Sequence, residues 1–268
     1  MTVDEVAVDA EPQPVLRAER LSVVYGGVRA LTDLDLTVRE GELVGLIGPN
    51  GAGKTTCIDA ITGFASASGR VELDGTDISH AAPSKRARQG IARTWQSVEL
   101  FDELTVRENL SVACGRPSTA RLALELITGR AQESPRVDEV LELLGLRELA
   151  DEMPGVLTQG QRKLVGVARA LVVDPRVLLL DEPAAGLDTH ESQELGKTLR
   201  GVVEAGTPML LIDHDMGLVL TFCDRVTVLE FGRTIAQGRP EEVRADPAVI
   251  KAYLGEASAQ VIQEAAQA

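Results

Sequence analysis

The chain has 268 residues, 44% of them hydrophobic and 25% charged, and sets 27 Lys and Arg against 41 Asp and Glu for a net charge of −14. That length suits either one large domain or one domain with a smaller one embedded in it, and the composition is that of a soluble globular protein. The acidic balance offers no basic stripe to nucleic acid or anionic lipid, and no apolar run approaches the roughly 20 residues that cross a bilayer, so neither nucleic-acid binding nor direct membrane insertion is expected.

The opening MTVDEVAVDAEPQP carries acids where a signal peptide carries bases, and residues 1–14 read as a disordered acidic tail on a cytoplasmic protein. From about Val15 to Val44, short apolar runs broken by Gly26-Gly27 and Arg39-Glu40-Gly41 predict antiparallel strands. LVGLIG follows, apolar enough to be a strand buried on both faces, and it feeds a glycine loop. VELDG and GIARTW predict further strands, after which the pattern is helical from about Thr105 to Val173; Val137, Val140, Leu141 and Leu144 keep helical spacing and Gly145 ends the run.

The α/β pattern resumes at Val177 with VLLL and MLLI as short buried strands, then VTVLEFGRTIAQG as a hairpin. Asp246-Pro247 marks a last helix, with a capping residue before a proline at the first helical position. The Ala/Gln-rich end, ASAQVIQEAAQA, carries no structural pattern. Cys57, Cys114 and Cys223 are odd in number and outside metal spacing, and all three read as small buried residues rather than a disulfide framework.

Gly48 to Thr55 fits G-x-x-x-x-G-K-[ST] between a buried strand and a helix, where backbone N–H groups turn inward around phosphate oxygens and the helix start adds partial positive charge. Along Asn50, Gly51, Ala52, Gly53, Lys54, Thr55 and Thr56, the lysine reaches the β- and γ-phosphates, Thr55 binds Mg²⁺ and Thr56 suits the α-phosphate. A glycine-rich structural turn is the alternative. VLLLDEP adds Asp181 for the Mg²⁺ shell and Glu182 to polarise the attacking water, where two acids could otherwise be a solvated strand end. In LLIDHD, His214 stands at another strand end within reach of a γ-phosphate; His80 and His190 read as surface residues.

In order along the chain, GPNGAGKTT, RTWQ, LTQGQ, LDEPAAGLD and His214 resemble the ATP-binding subunits of ABC transporters, from Leu16 to Gly255. The finer resemblance, on TGF, GIARTWQSVELFDELTVRENL, LLIDHDMGLVL and DPAVIKAYLGEA, is to LivG-like subunits of branched-chain amino acid importers; urea and short-amide importers use similar subunits. The resemblance implies an α/β fold: a P-loop NTPase core with a mainly parallel sheet, an antiparallel N-terminal β subdomain and a helical subdomain inserted at about 98–173. One ABC ATPase domain is expected over residues 15–255, with a C-terminal tail at 256–268. Tyr25 is implied to stack on adenine and Gln96 to sense Mg²⁺ and the membrane subunits, where an edge-strand aromatic and a polar strand end are the alternatives. Asp188 is implied to touch the paired ATPase, or it is a helix cap.

In that family the segment matching Leu157 to Gln161 is commonly LSGGQ and closes over ATP held by the opposite subunit. Here Thr158 keeps the hydroxyl and Gly160 and Gln161 remain, while Gln159 replaces a glycine. Read without the other motifs, Thr158 and Gly160 are an ordinary helix cap. Mg²⁺ and ATP are the implied cofactors. Two membrane permeases, a second ATP-binding subunit of the same or a related chain, and an extracytoplasmic solute-binding protein are the implied partners, at the inner face of the cell membrane. A soluble ABC ATPase acting on an assembly scaffold is the competing class.

Overall fold

A computed structural model describes residues 13–96, 99–114 and 134–254. The expected C-terminal tail, residues 1–12 of the expected N-terminal one and the middle of the expected helical segment lie outside the described residues; Pro14, expected in the disordered tail, instead begins the first strand, where it pairs with Arg39. Strands β1 (Pro14–Tyr25), β2 (Val28–Arg39), β4 (Ser68–Leu73) and β5 (Thr76–Asp77) form a four-stranded antiparallel sheet in the order β2-β1-β4-β5. A second sheet has the order β10-β9-β3-β8-β7-β6, built from β3 (Leu43–Ile47), β6 (Ile91–Arg93), β7 (Val177–Asp181), β8 (Met209–Ile212), β9 (Arg225–Glu230) and β10 (Arg233–Gly238). Five of its strands run parallel, and β10 returns antiparallel to β9 as the expected hairpin.

Every residue of β3, β7 and β8 is buried, because both faces of this sheet are covered. Successive side chains divide between two cores, as the period of two requires. Leu43, Ile47, Leu178, Leu180, Met209 and Leu211 face one core, and Val44, Leu46, Val177, Leu179, Leu210 and Ile212 face the other. The first core takes in the helical region, α3 (Val106–Ala113), α4 (Pro135–Leu143) and α5 (Gln159–Leu171), through Val106, Leu110, Val137, Val140, Leu141 and Val165. The second joins the antiparallel sheet and α1 (Lys54–Thr62), to whose Ala60 and Ile61 carbonyls Arg86 of the short helix α2 (Pro83–Arg88) donates.

The expected end of α4 is seen, with Gly145 at φ +65° one residue past the Leu144 cap. α6 (Thr189–Glu204) and α7 (Met216–Phe222) pack together, and the chain's described end is a helix, Pro247–Leu254, entered at Asp246, whose Oδ1 accepts the Ala248 amide at 2.7 Å. Cys57 and Cys223 are buried as expected, and burial pushes the Cys57 thiol up to about 12. Cys114 corrects the reading: it is exposed, at the cap of α3, where the helix has left the core. His80 and His190 are exposed. Among the described residues no helix is long and apolar enough to cross a membrane.

Candidate functional site

Parallel register brings three strand ends to one edge. Leu46 pairs with Ile212, and Asp181 pairs with the same Ile212, so the loop after β3, the acids after β7 and His214 after β8 meet where ligands of open parallel sheets bind. The loop keeps three glycines in the left-handed half of φ space: Gly48 at +155°, Gly51 at +81° and Gly53 at +104°. Two of them also meet backbone at close range. A Cβ on Gly48 would lie 2.2 Å from the Leu229 oxygen, and one on Gly53 would lie 2.6 Å from the Ala30 oxygen. Helix α1 starts at Gly53 with no side-chain cap, which leaves its first N–H groups free for an anion.

Lys54 is 6% exposed, and its ammonium donates to the carbonyl oxygens of Gly48 at 2.8 Å and Pro49 at 3.1 Å. Burial lowers its pKa, opposed by the negative charges of Glu182, Asp181 and Asp213. Thr55 is exposed beside it and Thr56 half-buried. Asp181 is 4% exposed; burial raises its pKa, and the Arg93 guanidinium at 3.2 Å pulls it back down. Glu182 sits at φ +47°, a conformation that strains a non-glycine residue by about 1–3 kcal/mol, and its amide donates to the Ile212 oxygen at 2.7 Å. Its Oε2 accepts Gln96 Nε2 at 2.7 Å, with His214 Nδ1 at 3.9 Å. The expected residues Lys54, Gln96, Asp181, Glu182 and His214 are therefore gathered at one edge.

Two acids between these groups were not singled out from sequence. Asp213 is fully buried, and its carboxylate accepts the amides of His214 (2.8 Å), Asp215 (3.0 Å) and Ala184 (3.0 Å), tying the turn after Glu182 to the His214 turn. Burial raises its pKa against those bonds. The signal was present: like Asp181, it directly follows four apolar strand residues. Asp59, one turn into α1, holds Arg93 at 2.7 Å and has no such marker.

Tyr25 ends β1 opposite Val28 at the hairpin tip, 51% exposed, with Val24 and Val28 also exposed around it. The second helix start is different. Thr158 caps α5 in a reciprocal box: its hydroxyl accepts the Gln161 amide at 3.2 Å, and its own amide donates to Gln161 Oε1 at 2.9 Å. Asp188 caps α6 likewise, accepting the Glu191 amide at 2.8 Å. Gln159 lies across Gly186 of the AAGLD turn, where a Cβ would stand 2.5 Å from its Nε2, and Gly160 has open space, its nearest neighbour being Glu191 Oε1 at 3.7 Å from an added Cβ. These residues make a surface of their own; Lys163, a turn further along α5, reaches back to the Gln96 carbonyl at 3.4 Å.

Oxygen donors at Thr55, Asp181 and Gln96 suit a hard divalent cation, and the buried Asp181 carboxylate is one whose charge such an ion would offset. Between the core and the helices opens a cleft of about 700 Å³ lined by Trp95, Phe101, Lys163 and Arg169 among others.

A family model described as ABC transporter matches residues 31–185, and one described as branched-chain amino acid ATP-binding cassette transporter matches residues 233–259. The chain is 41% identical over 253 residues to the high-affinity branched-chain amino acid transport ATP-binding protein BraF of Pseudomonas aeruginosa, covering 91% of this chain and 99% of that protein. Against LivG of Escherichia coli K12, a protein of the same description, identity is 40% with the same coverage. A solved nucleotide-free ATP-binding cassette from an ABC transporter superposes with a TM-score of 0.79 at 32% identity, over 91% of this chain and 100% of that one. With that similarity running the length of the described fold, the chain belongs to the ABC transporter family as an ATP-binding subunit, and it is an ATPase whose hydrolysis is coupled to transport.

Proposed function

We propose that this chain powers an importer of branched-chain amino acids from the inner face of the cell membrane, as one ABC ATPase domain over residues 15–255. The convergence of Lys54, Gln96, Glu182 and His214 at one sheet edge carries the enzymatic part of this reading. The amides of Asn50 to Gly53, with Lys54, Thr55 and Thr56, hold the triphosphate, and Tyr25 covers the adenine. Binding draws the Lys54 ammonium off the Gly48 and Pro49 carbonyls, replacing two neutral acceptors with phosphate oxygens. Thr55, Asp181 and Gln96 would hold Mg²⁺, which when bound would supply positive charge against the phosphate oxygens. Glu182 orients and polarises the attacking water, and the His214 imidazole supports the γ-phosphate beside it.

Thr158, Gly160 and Gln161 serve the ATP of a second ATP-binding subunit, with Asp188 at the same contact. Two permeases seat on the cleft, where Trp95 and Phe101 are 54% and 43% exposed, beside the segment that runs from the end of β6 to Gln96. A solute-binding protein delivers the amino acid from outside. The substrate part rests on the relatives over 91% of the chain and on the C-terminal match at 233–259. Deleting the chain should abolish uptake of labelled leucine, isoleucine or valine at low concentration, and purification from the native membrane should bring down two permeases. Normal uptake of all three with lost uptake of urea or an amide would keep the importer and change its solute. Purification without permeases, on a soluble scaffold, would replace the importer altogether.

A further inference from the structure

Behind the Asp181 carboxylate sits a cation that the mechanism above does not use. Arg93 ends β6, and its side chain is 7% exposed. Nη2 lies 3.2 Å from Asp181 Oδ2; Nη1 lies 2.7 Å from Asp59 Oδ1 and 3.4 Å from Thr62 Oγ1, both on α1. The guanidinium carbon stands 3.9 Å from the centroid of the Trp95 ring and 5.9 Å from that of Phe64, and those two rings meet edge to face at 5.4 Å. One planar group thus ties together the phosphate-loop helix, the acid after β7 and an aromatic pair, of which Trp95 lines the cleft.

Fold stability does not explain this choice. A buried ion pair roughly breaks even against well-packed apolar groups, and Arg93 also leaves its Nε buried with no hydrogen-bond partner. What a guanidinium does supply is a rigid fork that fixes the orientation of a carboxylate. Groups standing behind metal-binding carboxylates orient them and set their affinity. Arg93 approaches through Oδ2.

We propose that Arg93 is a positioning residue for Asp181: braced by Asp59 and by the Trp95–Phe64 pair, it holds the carboxylate in one orientation for the divalent cation that accompanies ATP. This rests on the reading of Asp181 as the Mg²⁺ carboxylate. The test uses the full chain with ATP and Mn²⁺, free Mn²⁺ being followed by electron paramagnetic resonance, and a fluorescent ATP analogue bound in EDTA as the metal-free readout.

Arg93→Met should raise the half-saturating Mn²⁺ concentration about 10-fold, the lower end of what losing a group behind a metal ligand produces, while binding in EDTA stays unchanged. Arg93→Lys should recover part of that loss. Trp95→Leu, at an exposed position, should give a smaller shift in the same direction that disappears in the Arg93→Met background, since both act through one group. Asp181→Asn separates the two readings. If it leaves Mn²⁺ binding unchanged, the Asp181 assignment fails and takes the Arg93 proposal with it. If Asp181→Asn weakens Mn²⁺ binding but Arg93→Met leaves it unchanged or tightens it, Asp181 stands and Arg93 is overturned. Should Arg93→Met not fold, Trp95→Leu decides, and absence of any shift overturns the proposal.

Discussion

Helices α1 and α5 both begin at residues that suit an anion, yet their first turns are completed in different ways. At α1 the cap is Gly53, in the left-handed region and without a side-chain bond, so the first amides are left open; Lys54 is buried there, within reach of the fields of Asp181, Glu182 and Asp213. At α5 the capping box between Thr158 and Gln161 already satisfies two amides, and Thr158 and Gln159 are exposed with Gly160 and Gln161 half-buried. The first arrangement leaves backbone donors unpaired and needs a ligand to complete it. The second is complete as a helix end and has only part of its N-terminus to offer. An unfinished helix start with buried charges around it marks the chain's own phosphate site, whereas a finished and exposed one fits a surface that meets a phosphate brought by another molecule.

The largest test of this contrast is Glu182→Gln. It keeps the shape that accepts Gln96 and removes the charge that polarises water, so turnover should fall by about 100-fold or more while ATP binding persists. Steady-state phosphate release measures the first and nucleotide trapping the second. Normal release would remove Glu182 from the chemistry and leave the α1 edge as a binding site alone.

The next test sets the two starts against each other. Lys54→Ala damages the chain's own phosphate loop, and Gly160→Asp places a carboxylate where a neighbour's phosphate would approach; loss of a phosphate donor typically lowers rate about 100- to 1,000-fold, so each variant alone should be nearly inactive. Mixed together, they form one composite site with both lesions and one with neither. ATP-dependent dimerisation or trapped nucleotide should then return. If Gly160 served its own chain's ATP, mixing would leave every site damaged and nothing would return. The experiment needs a chain that dimerises with itself; with a related chain as partner, the same pairing is made across the two chains.

Much of this was legible in sequence, for identifiable reasons. β3, β7 and β8 announce themselves because strands buried on both faces must be apolar throughout, and Asp181 and Glu182 stand out because acids directly after such a strand are conspicuous. Arg93 and Asp59 carry no comparable mark. Their partnership spans 34 residues and exists only because the fold brings the end of β6 within side-chain reach of α1, which no local pattern encodes. Cys114 was misjudged because cysteine is usually buried, and α3 ends just where it leaves the core. The neighbourhood of Gln159 was also out of reach: its side chain lies over Gly186, a contact between two turns distant in sequence.

A third test compares two glycines. Gly53→Ala puts a Cβ 2.6 Å from the Ala30 oxygen at φ +104°, so it should lower stability by about 1–3 kcal/mol, read as a lower melting temperature without nucleotide. Gly160→Ala meets nothing nearer than Glu191 Oε1 at 3.7 Å, and alanine is the better helix former by up to about 1 kcal/mol, so the melting temperature should hold or rise. ATP-dependent dimerisation should nevertheless weaken. Equal destabilisation by both would mean that Gly160 is retained for folding, and the contrast between the two starts would lose its clearest residue.

The smallest expected effect belongs to Thr158, and it asks whether the completed cap is also the working surface. Thr158→Ala removes the acceptor of the Gln161 amide and should cost about 1 kcal/mol, the usual size for an N-cap, which for a chain of this length is a fall of a few degrees in nucleotide-free melting temperature. Thr158→Ser keeps the oxygen and should restore the melting temperature. The informative number is ATP-dependent dimerisation in the alanine variant. Were the hydroxyl purely a cap, dimerisation would weaken by no more than the loss of helix stability accounts for, since the amides left over would still face the neighbour. If the hydroxyl also donates to the neighbour's phosphate, which it can do while still accepting the Gln161 amide, dimerisation should fall further than melting temperature does while Thr158→Ser stays normal in both. Equal losses in both measurements would leave α5 as a helix end whose oxygen serves only its own chain.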